Sequence, residues 1–525
     1  MAGVRTRGGR RYGIARRSFL KYMATVSAIP LAPLRAAPPP GPAPSFSSSP
    51  FSLGVASGDP EADGVVIWTR LAPEPLAGGG MPREAVAVTW EVAHDERFET
   101  VVRKGVATAT PQLGHSVHVE VDGLEPQRWY FYRFHVGGES SPVGRTRTAP
   151  AAGAMVDRVR FAFTSCQHYE SGYFNGYPHM LAEDPDLIIH LGDYIYEYAG
   201  IDNRPRKHLG AEIVSLDDYR TRYAQYRLDP MLQEAHRVAP WLVTWDDHEF
   251  DNNYADLVSE EDGISPEAFL ARRMNAYQAY YEFMPLRRRS FPHGPQMRLY
   301  RTCRFGDIAD FHLLDTRQYR TDQPNGDHQK PMEGKVFDPQ ATMLGARQEG
   351  WLMAGLMQSR AAWNVLAQQV MMAPLNRGEG EDRRYSMDQW PGYEVSRRRL
   401  LRFFHERQIS NPVVLTGDIH LNWVNDLQLD FNDPSSPLVA TELVGTSMSS
   451  SGNGGTVIPE YERAARQNDC VKFYNANRGY VSCELTPQTW TTFFRTTPYV
   501  DRPGAPVETK GVFVIENGRP GAQPA

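Results

Sequence analysis

The apolar run Leu187-Ile188-Ile189 is short, unbroken and ends abruptly at Gly192-Asp193-Tyr194-Ile195-Tyr196-Glu197-Tyr198. That is the pattern of a strand buried on both faces, stopping at its carboxyl end in an α/β sheet. The pattern recurs where Trp241-Leu242-Val243-Thr244-Trp245 runs into Asp246-Asp247-His248-Glu249, and where Pro412-Val413-Val414-Leu415-Thr416 runs into Gly417-Asp418-Ile419-His420. A fourth run, Val159 to Thr164, ends at Ser165-Cys166. Residues 51 to about 148 instead alternate apolar and polar positions in short runs such as Val86 to Val92 and Trp129 to Val136, with Gly, Pro and Asp turns between most of them. This predicts an all-β immunoglobulin- or fibronectin-like sandwich without a cysteine pair. After Pro150 strands alternate with helical spacing, and helices are expected over Ser215–Arg237 and Ser265–Phe283, each opened by a serine with an acid two residues on. Further strands are expected over residues 297–303, 308–315, 363–372, 438–444, 479–485 and 489–495. The expected architecture is α/β, with two stacked sheets flanked by helices following a small β-sandwich.

Ligands bind at the carboxyl edge of such a sheet, and this edge collects unusual chemistry. Asp193 and Tyr196 stand three residues apart, so a carboxylate and a phenol can converge once the chain leaves its strand. A phenol has an ordinary pKa of about 10, and a hard trivalent ion such as Fe(III) lowers it enough to make a good ligand. A single aspartate at a strand end is as readily a helix cap or a turn residue. Three of them, two with a histidine within two residues, and a fourth strand ending at a thiol, point to metal.

The 525 residues argue for two domains, and 41% hydrophobic and 11% aromatic content are globular values. No run reaches the eighteen or so apolar residues of a membrane span. Residues 1–37 carry eight basic residues and no acid, and Ala15-Arg16-Arg17-Ser18-Phe19-Leu20-Lys21 resembles the twin-arginine export signal. The expectation is a signal peptide over 1–37, a Pro/Ser linker over 38–50, a sandwich over 51–150, a catalytic domain over 151–500 and a tail over 501–525. Removing the signal changes 56 minus 62 charges to 48 minus 62, near −14. That balance disfavours nucleic acid or an anionic membrane as a general partner.

Ser52-Leu53-Gly54-Val55-Ala56-Ser57-Gly58-Asp59-Pro60, Thr164-Ser165-Cys166, Gly192-Asp193-Tyr194-Ile195-Tyr196, Trp245-Asp246-Asp247-His248-Glu249 and Gly417-Asp418-Ile419-His420, in this order, resemble the PhoD-type alkaline phosphatases. The resemblance implies a four-layer αββα metallophosphoesterase domain behind the sandwich, and export by the twin-arginine translocase to the periplasm or beyond. It implies a ferric ion, Fe(3+), held by Cys166, Asp193, Tyr196 and His420, with Asp193 bridging to calcium, Ca(2+), and Asp247 and Asp418 as further carboxylate ligands. Oxygen ligands suit calcium. Which of Asp418 and His420 faces which metal stays open. His248 matches the residue that assists the leaving group, while Asn253, Asp315 and Arg317 are candidates for supporting or phosphate-contacting roles. The implied reaction is in-line attack of a metal-activated hydroxide on small phosphate esters by a monomeric enzyme. A phospholipase D or nucleotide phosphodiesterase on the same site is the alternative, and a catalytically silent surface binding protein is the alternative from another class. The Gly-rich Ser450–Gly455 reads as a flexible loop near the substrate entrance, Cys470 and Cys483 as a pair that an oxidising compartment allows to form, and Arg287–Arg289 and Arg397–Arg399 as solvated helix ends.

Overall fold

In the computed structural model, which describes residues 45–525 apart from 47, 262 and 456, the apolar runs that end in aspartate are parallel strands. Leu187–His190 lies between Val159–Thr164 and Trp241–Val243, with Leu187 opposite Phe161 and Ile188 opposite Trp241. Successive side chains of a strand face opposite ways. Leu187 and Ile189 accordingly enter one core with Phe311, Val365 and Leu415, while Ile188 enters another with Tyr219, Tyr223 and Tyr277. Burial on both faces is why the run is continuously apolar.

The first core separates two sheets. The second sheet sets Ala309–Leu313, Trp363–Ala367, Pro412–Thr416 and Leu438–Val444 side by side in parallel. On its outer face, helices Gly345–Gln358 and Glu394–Glu406 pack Leu352, Leu356, Leu400 and Leu401 against Leu366 and Val414. On the outer face of the first sheet lie the helices that supply the three tyrosines. The layers therefore run helix, sheet, sheet, helix, as expected.

Several boundaries differ from the expected ones. The 215–237 segment is two helices, Leu216–Arg227 and Pro230–Val238. The break falls where Asp229 accepts from Met231 N and Leu232 N and Pro230 occupies the first turn. The β-sandwich does not stand apart: its strands Val55–Glu61, Gly64–Arg70 and Ser116–Asp122 extend the first sheet to ten strands. The join is at Gly58, opposite Trp241. A Cβ there would come within 2.6 Å of Pro285 O and 2.8 Å of Trp241 O, so only glycine lets the two strands approach. The sandwich's other sheet carries Val86, Val88, Tyr132 and Phe134 against Ile67, Val119 and Val121. At the opposite edge, Glu508–Glu516 and Arg519–Pro524 are paired strands of the first sheet, where a tail was expected. The four cysteines are free and buried, and Cys470 and Cys483 sit in different cores, so they form no disulfide. The signal segment and most of the linker lie outside the described residues.

Candidate metal centre at the strand ends

Every chemically loaded segment leaves the carboxyl end of a parallel strand, and the turns there are tight. Cys166, Asp193, Asp418 and His420 have φ of 56°, 56°, 60° and 59°, and Asn253 49°. Left-handed backbone costs a non-glycine residue about 1–3 kcal/mol, so the turns are held by their surroundings. One holder is Glu249, whose carboxylate accepts from Asp193 N at 3.0 Å, Tyr194 N at 2.6 Å and Asp246 N at 2.8 Å, fastening two strand ends together. Burial pushes its carboxyl up to about 7. Gly192, at φ 115°, passes where a Cβ would lie 2.5 Å from Asp246 N.

Two groups of donors result, and Asp193 belongs to both. Cys166, Asp193 and His420 offer ligand atoms within 4.8 Å of one another, and so do Asp193, Asp247 and His248. The Tyr196 hydroxyl completes the first group: it donates to Asp193 Oδ2 at 2.9 Å, lies 3.3 Å from His420 Nε2 and accepts from Ser450 Oγ at 2.7 Å. Desolvation holds the Cys166 thiol, the Asp193 carboxyl and the Tyr196 phenol well above their ordinary values, and neighbouring carboxylates add to it. His420 falls to about 3, mainly through burial. The group is thus a set of neutral, protonated donors unless a cation displaces the protons.

The second group is charged. Asp247 stays ionised, its carboxyl below the ordinary range: burial opposes this, and Arg317, His248 and the Asn253 N–H at 2.8 Å overcome it. Asp418 is pushed up to about 6 by burial. Its Oδ2 accepts from Gln389 at 3.0 Å and its Oδ1 lies 3.4 Å from Arg317 Nη2. His248 Nδ1 rests 2.8 Å from Glu197 Oε2, and its ring packs 4.2 Å from that of Tyr196. Burial would lower its pKa, yet Glu197, Asp247 and Asp193 raise it well above the ordinary value.

The residues read from sequence divide as follows. Cys166, Asp193, Tyr196, Asp247, His248, Asp418 and His420 converge, with His420 beside Cys166 and Tyr196, and Asp418 on the Asp247 side. Asn253 touches Asp247 through its backbone and turns its side chain to Asp327. Asp315 does not face the site: Arg317 N, Gln318 N and the Gln318 amide saturate its carboxylate, making it a turn cap. Arg317 is fully buried and meets Asp246, Asp388, Asp247 and Asp418. It is therefore closed to phosphate and supports carboxylates instead. Of the Gly-rich stretch Ser450–Gly455, Ser450 is buried and bonded, while Ser451 to Gly455 are exposed or half-buried. Sequence reasoning assigned no role to Glu197, Glu249, Asp388 or Gln389. Glu197 and Glu249 stood inside the quoted motifs, whereas Asp388 and Gln389 had no local signal.

The donors fit a metal centre. Asp193 Oδ1 and Asp247 Oδ1 are buried without a hydrogen-bond partner, a cost of about 1–3 kcal/mol each that a cation would remove. Thiolate, carboxylate and phenolate together carry three negative charges beside an imidazole, which matches a trivalent ion, and the carboxylate oxygens of Asp193 and Asp247 beside His248, with those of Asp418 on the same side, suit a hard divalent one.

A family described as PhoD-like phosphatase matches residues 161–494, and its N-terminal domain matches 35–150. Alkaline phosphatase D of Bacillus subtilis (strain 168) is 52% identical over 484 residues, covering 91% of this chain and 83% of that protein. A solved structure of PhoD superposes with a TM-score of 0.90 at 51% identity, over 92% of this chain and 93% of the other.

Proposed function

The chain belongs to the PhoD-like phosphatase family and is a phosphoric ester hydrolase, and we propose that it works through two adjacent cation positions joined by Asp193. The observation that carries this reading is the membership of Asp193 in both donor groups. Cys166, Asp193, Tyr196 and His420 would hold Fe(3+), and Asp193, Asp247 and Asp418 would hold Ca(2+), with the Asn253 backbone fixing Asp247. Bound there, the cations would polarise phosphoryl oxygens and make a water acidic enough to ionise near neutral pH.

The chain's own groups do the rest. Glu197 fixes Nδ1 of His248 and supports its protonated form, which leaves Nε2–H to donate to the departing ester oxygen. The Tyr196 and Tyr198 rings, at 4.2 and 5.3 Å, keep that imidazole in place. Arg317 offsets the carboxylates from behind, so Asp247 and Asp418 tolerate being buried together. The twin-arginine segment supports export of the folded protein to the periplasm or outside, with metal selected before export.

The test is the visible spectrum of the isolated protein with metal analysis, then hydrolysis of an aryl phosphate with and without calcium. A band near the middle of the visible range, lost on Tyr196→Phe, supports a phenolate–iron centre. A colourless protein of full activity overturns it. Rates on aryl monoesters, nucleotide diesters and phospholipids then set the mono- against diester preference.

A further inference from the structure

Of the Arg287-Arg288-Arg289 run, Arg288 and Arg289 are exposed as a solvated helix end would be, and only Arg287 is not. Arg287 is buried, bonding Asp59 O and Glu120, and Arg289 opens onto a cavity of about 210 Å3. That cavity is lined by Arg289, Arg298, Tyr300, Arg301, Arg304 and Trp351. Arg298 and Tyr300 also line a second cavity of about 340 Å3, with Arg273, Arg347 and Tyr319. Asp256 N donates to Arg317 O at 3.1 Å, and Gln318 and Tyr319 follow Arg317, so the second cavity lies behind the segment that braces the carboxylates.

Among the described residues, two of the six arginine charges here are left without a carboxylate partner. Of the six arginines, Arg289, Arg301, Arg273 and Arg304 have carboxylate partners, in Glu61, Asp59, Asp256 and Asp310, the last at 3.9 Å. Arg298 and Arg347 have no ion pair among the described residues. Arg273 is buried, and its Nε has no hydrogen-bond partner. A buried guanidinium N–H without an acceptor calls for one, at about 1–3 kcal/mol. The walls are aromatic: Trp351 packs 4.9 Å from Tyr300, and the Arg298 guanidinium lies 4.9 Å over the Tyr300 ring. In a chain of net charge −6, the exposed and unpaired Arg298 and Arg347 leave a local surplus of positive charge at the two cavities.

We propose that the paired cavities bind a phosphate-bearing anion with a planar ring, of nucleoside monophosphate size, at a site separate from the hydrolytic centre. Arg298 and Arg347 take the phosphate as charge-assisted donors, and the half-buried Trp351, backed by Tyr300, takes the ring. The two volumes together fall in the range of small-molecule sites. The proposal stands independently of the metal assignment.

The experiment is calorimetric titration of the metal-loaded full chain with the methylenephosphonate analogue of adenosine monophosphate, whose P–C bond resists hydrolysis. Two sites per chain are expected. Arg298→Ala with Arg347→Ala removes one, or weakens it at least tenfold, while kcat/KM on an aryl phosphate is unchanged. Trp351→Leu weakens the phosphonate but not inorganic phosphate. Arg347→Glu alone reads the same loss on an exposed side chain should the double variant fold poorly. A single site in the unaltered protein, or two undiminished sites in the arginine variants, overturns the proposal, and unchanged phosphonate affinity in Trp351→Leu removes the ring from it.

Discussion

The two donor groups that share Asp193 meet the problem of buried charge in opposite ways. Around Cys166, Tyr196 and His420 no cationic side chain among the described residues bonds a donor atom. Arg222 and Arg478 approach, but they bond the backbone oxygens of Tyr196 and His420, and the hydroxyl contacts come from Ser450 and Ser451. Burial accordingly keeps that group neutral. Around Asp247 and Asp418 a buried arginine reaches four carboxylates, and Arg320 shares Asp388 with it. Uncompensated, buried carboxylates would repel one another and take up protons. On the proposed assignment one half would need a highly charged ion to ionise its ligands, and the other, already partly neutralised by Arg317, would take a divalent one.

The largest effect should come from removing the compensation. Arg317→Met leaves buried carboxylates unpaired, and breaking a buried pair from one side costs about 3–5 kcal/mol. Urea denaturation of the metal-free protein should show that loss, calcium should recover more of it than it adds to the unaltered chain, and Asp388→Leu in the same chain should restore part. An Arg317→Met protein as stable as the original would mean the acidic half is not held by this arginine.

His248 stands between the halves, raised by Asp193 from one and Asp247 from the other. His248→Asn should slow hydrolysis of alkyl phosphates by roughly 10²–10⁴-fold, the usual worth of general acid–base catalysis. Aryl phosphates, whose phenols leave unaided, should lose far less. Equal losses on both would show that His248 acts through the cations rather than on the leaving oxygen.

Proton bookkeeping sharpens the contrast further. Loading the first half displaces protons from Cys166, Tyr196 and Asp193, because all three are held above their ordinary values, so its affinity should climb steeply with pH. Asp247 is already ionised, and Asp418 titrates at about 6. With the first position loaded and Asp193 ionised by it, protons compete for Asp418 only as pH falls through that value, so calcium affinity should be nearly flat above neutrality and decline below it. Titrations in buffers of different ionisation enthalpy count the protons directly. Equal release from both positions would remove the distinction.

The contrast also explains what the sequence disclosed. Gly192-Asp193-Tyr194-Ile195-Tyr196 and Gly417-Asp418-Ile419-His420 were legible because strand end, turn and ligand are contiguous, and continuous apolar runs announced two buried sheets. Arg317 could be read only as a supporting or a phosphate-contacting residue, because nothing local shows that Asp246, Asp388 and Asp418 close around it from other segments. Asp388 sits in no motif at all. The joining of sandwich and catalytic sheet at Gly58 is a tertiary event, invisible in alternation alone. The last two strands did leave a signal in Asn517-Gly518, a hairpin dipeptide with Gly518 at φ 79°.

The smallest effects give the most selective check, because in each half a neutral side chain supports a donor. Ser450 Oγ donates to the Tyr196 hydroxyl at 2.7 Å, and Gln389 donates to Asp418 Oδ2 at 3.0 Å. Supports of this kind are worth about 10–100-fold in metal affinity, and the lower end is expected here because each supported donor keeps another partner. Ser450→Ala should shift the visible band and weaken iron retention while leaving the calcium dependence of hydrolysis unchanged. Gln389→Leu should raise the calcium concentration for half-maximal activity about tenfold and leave the band alone. Crossed outcomes, with the serine moving calcium or the glutamine moving the band, would mean that Asp193 couples the two positions so tightly that they behave as one site.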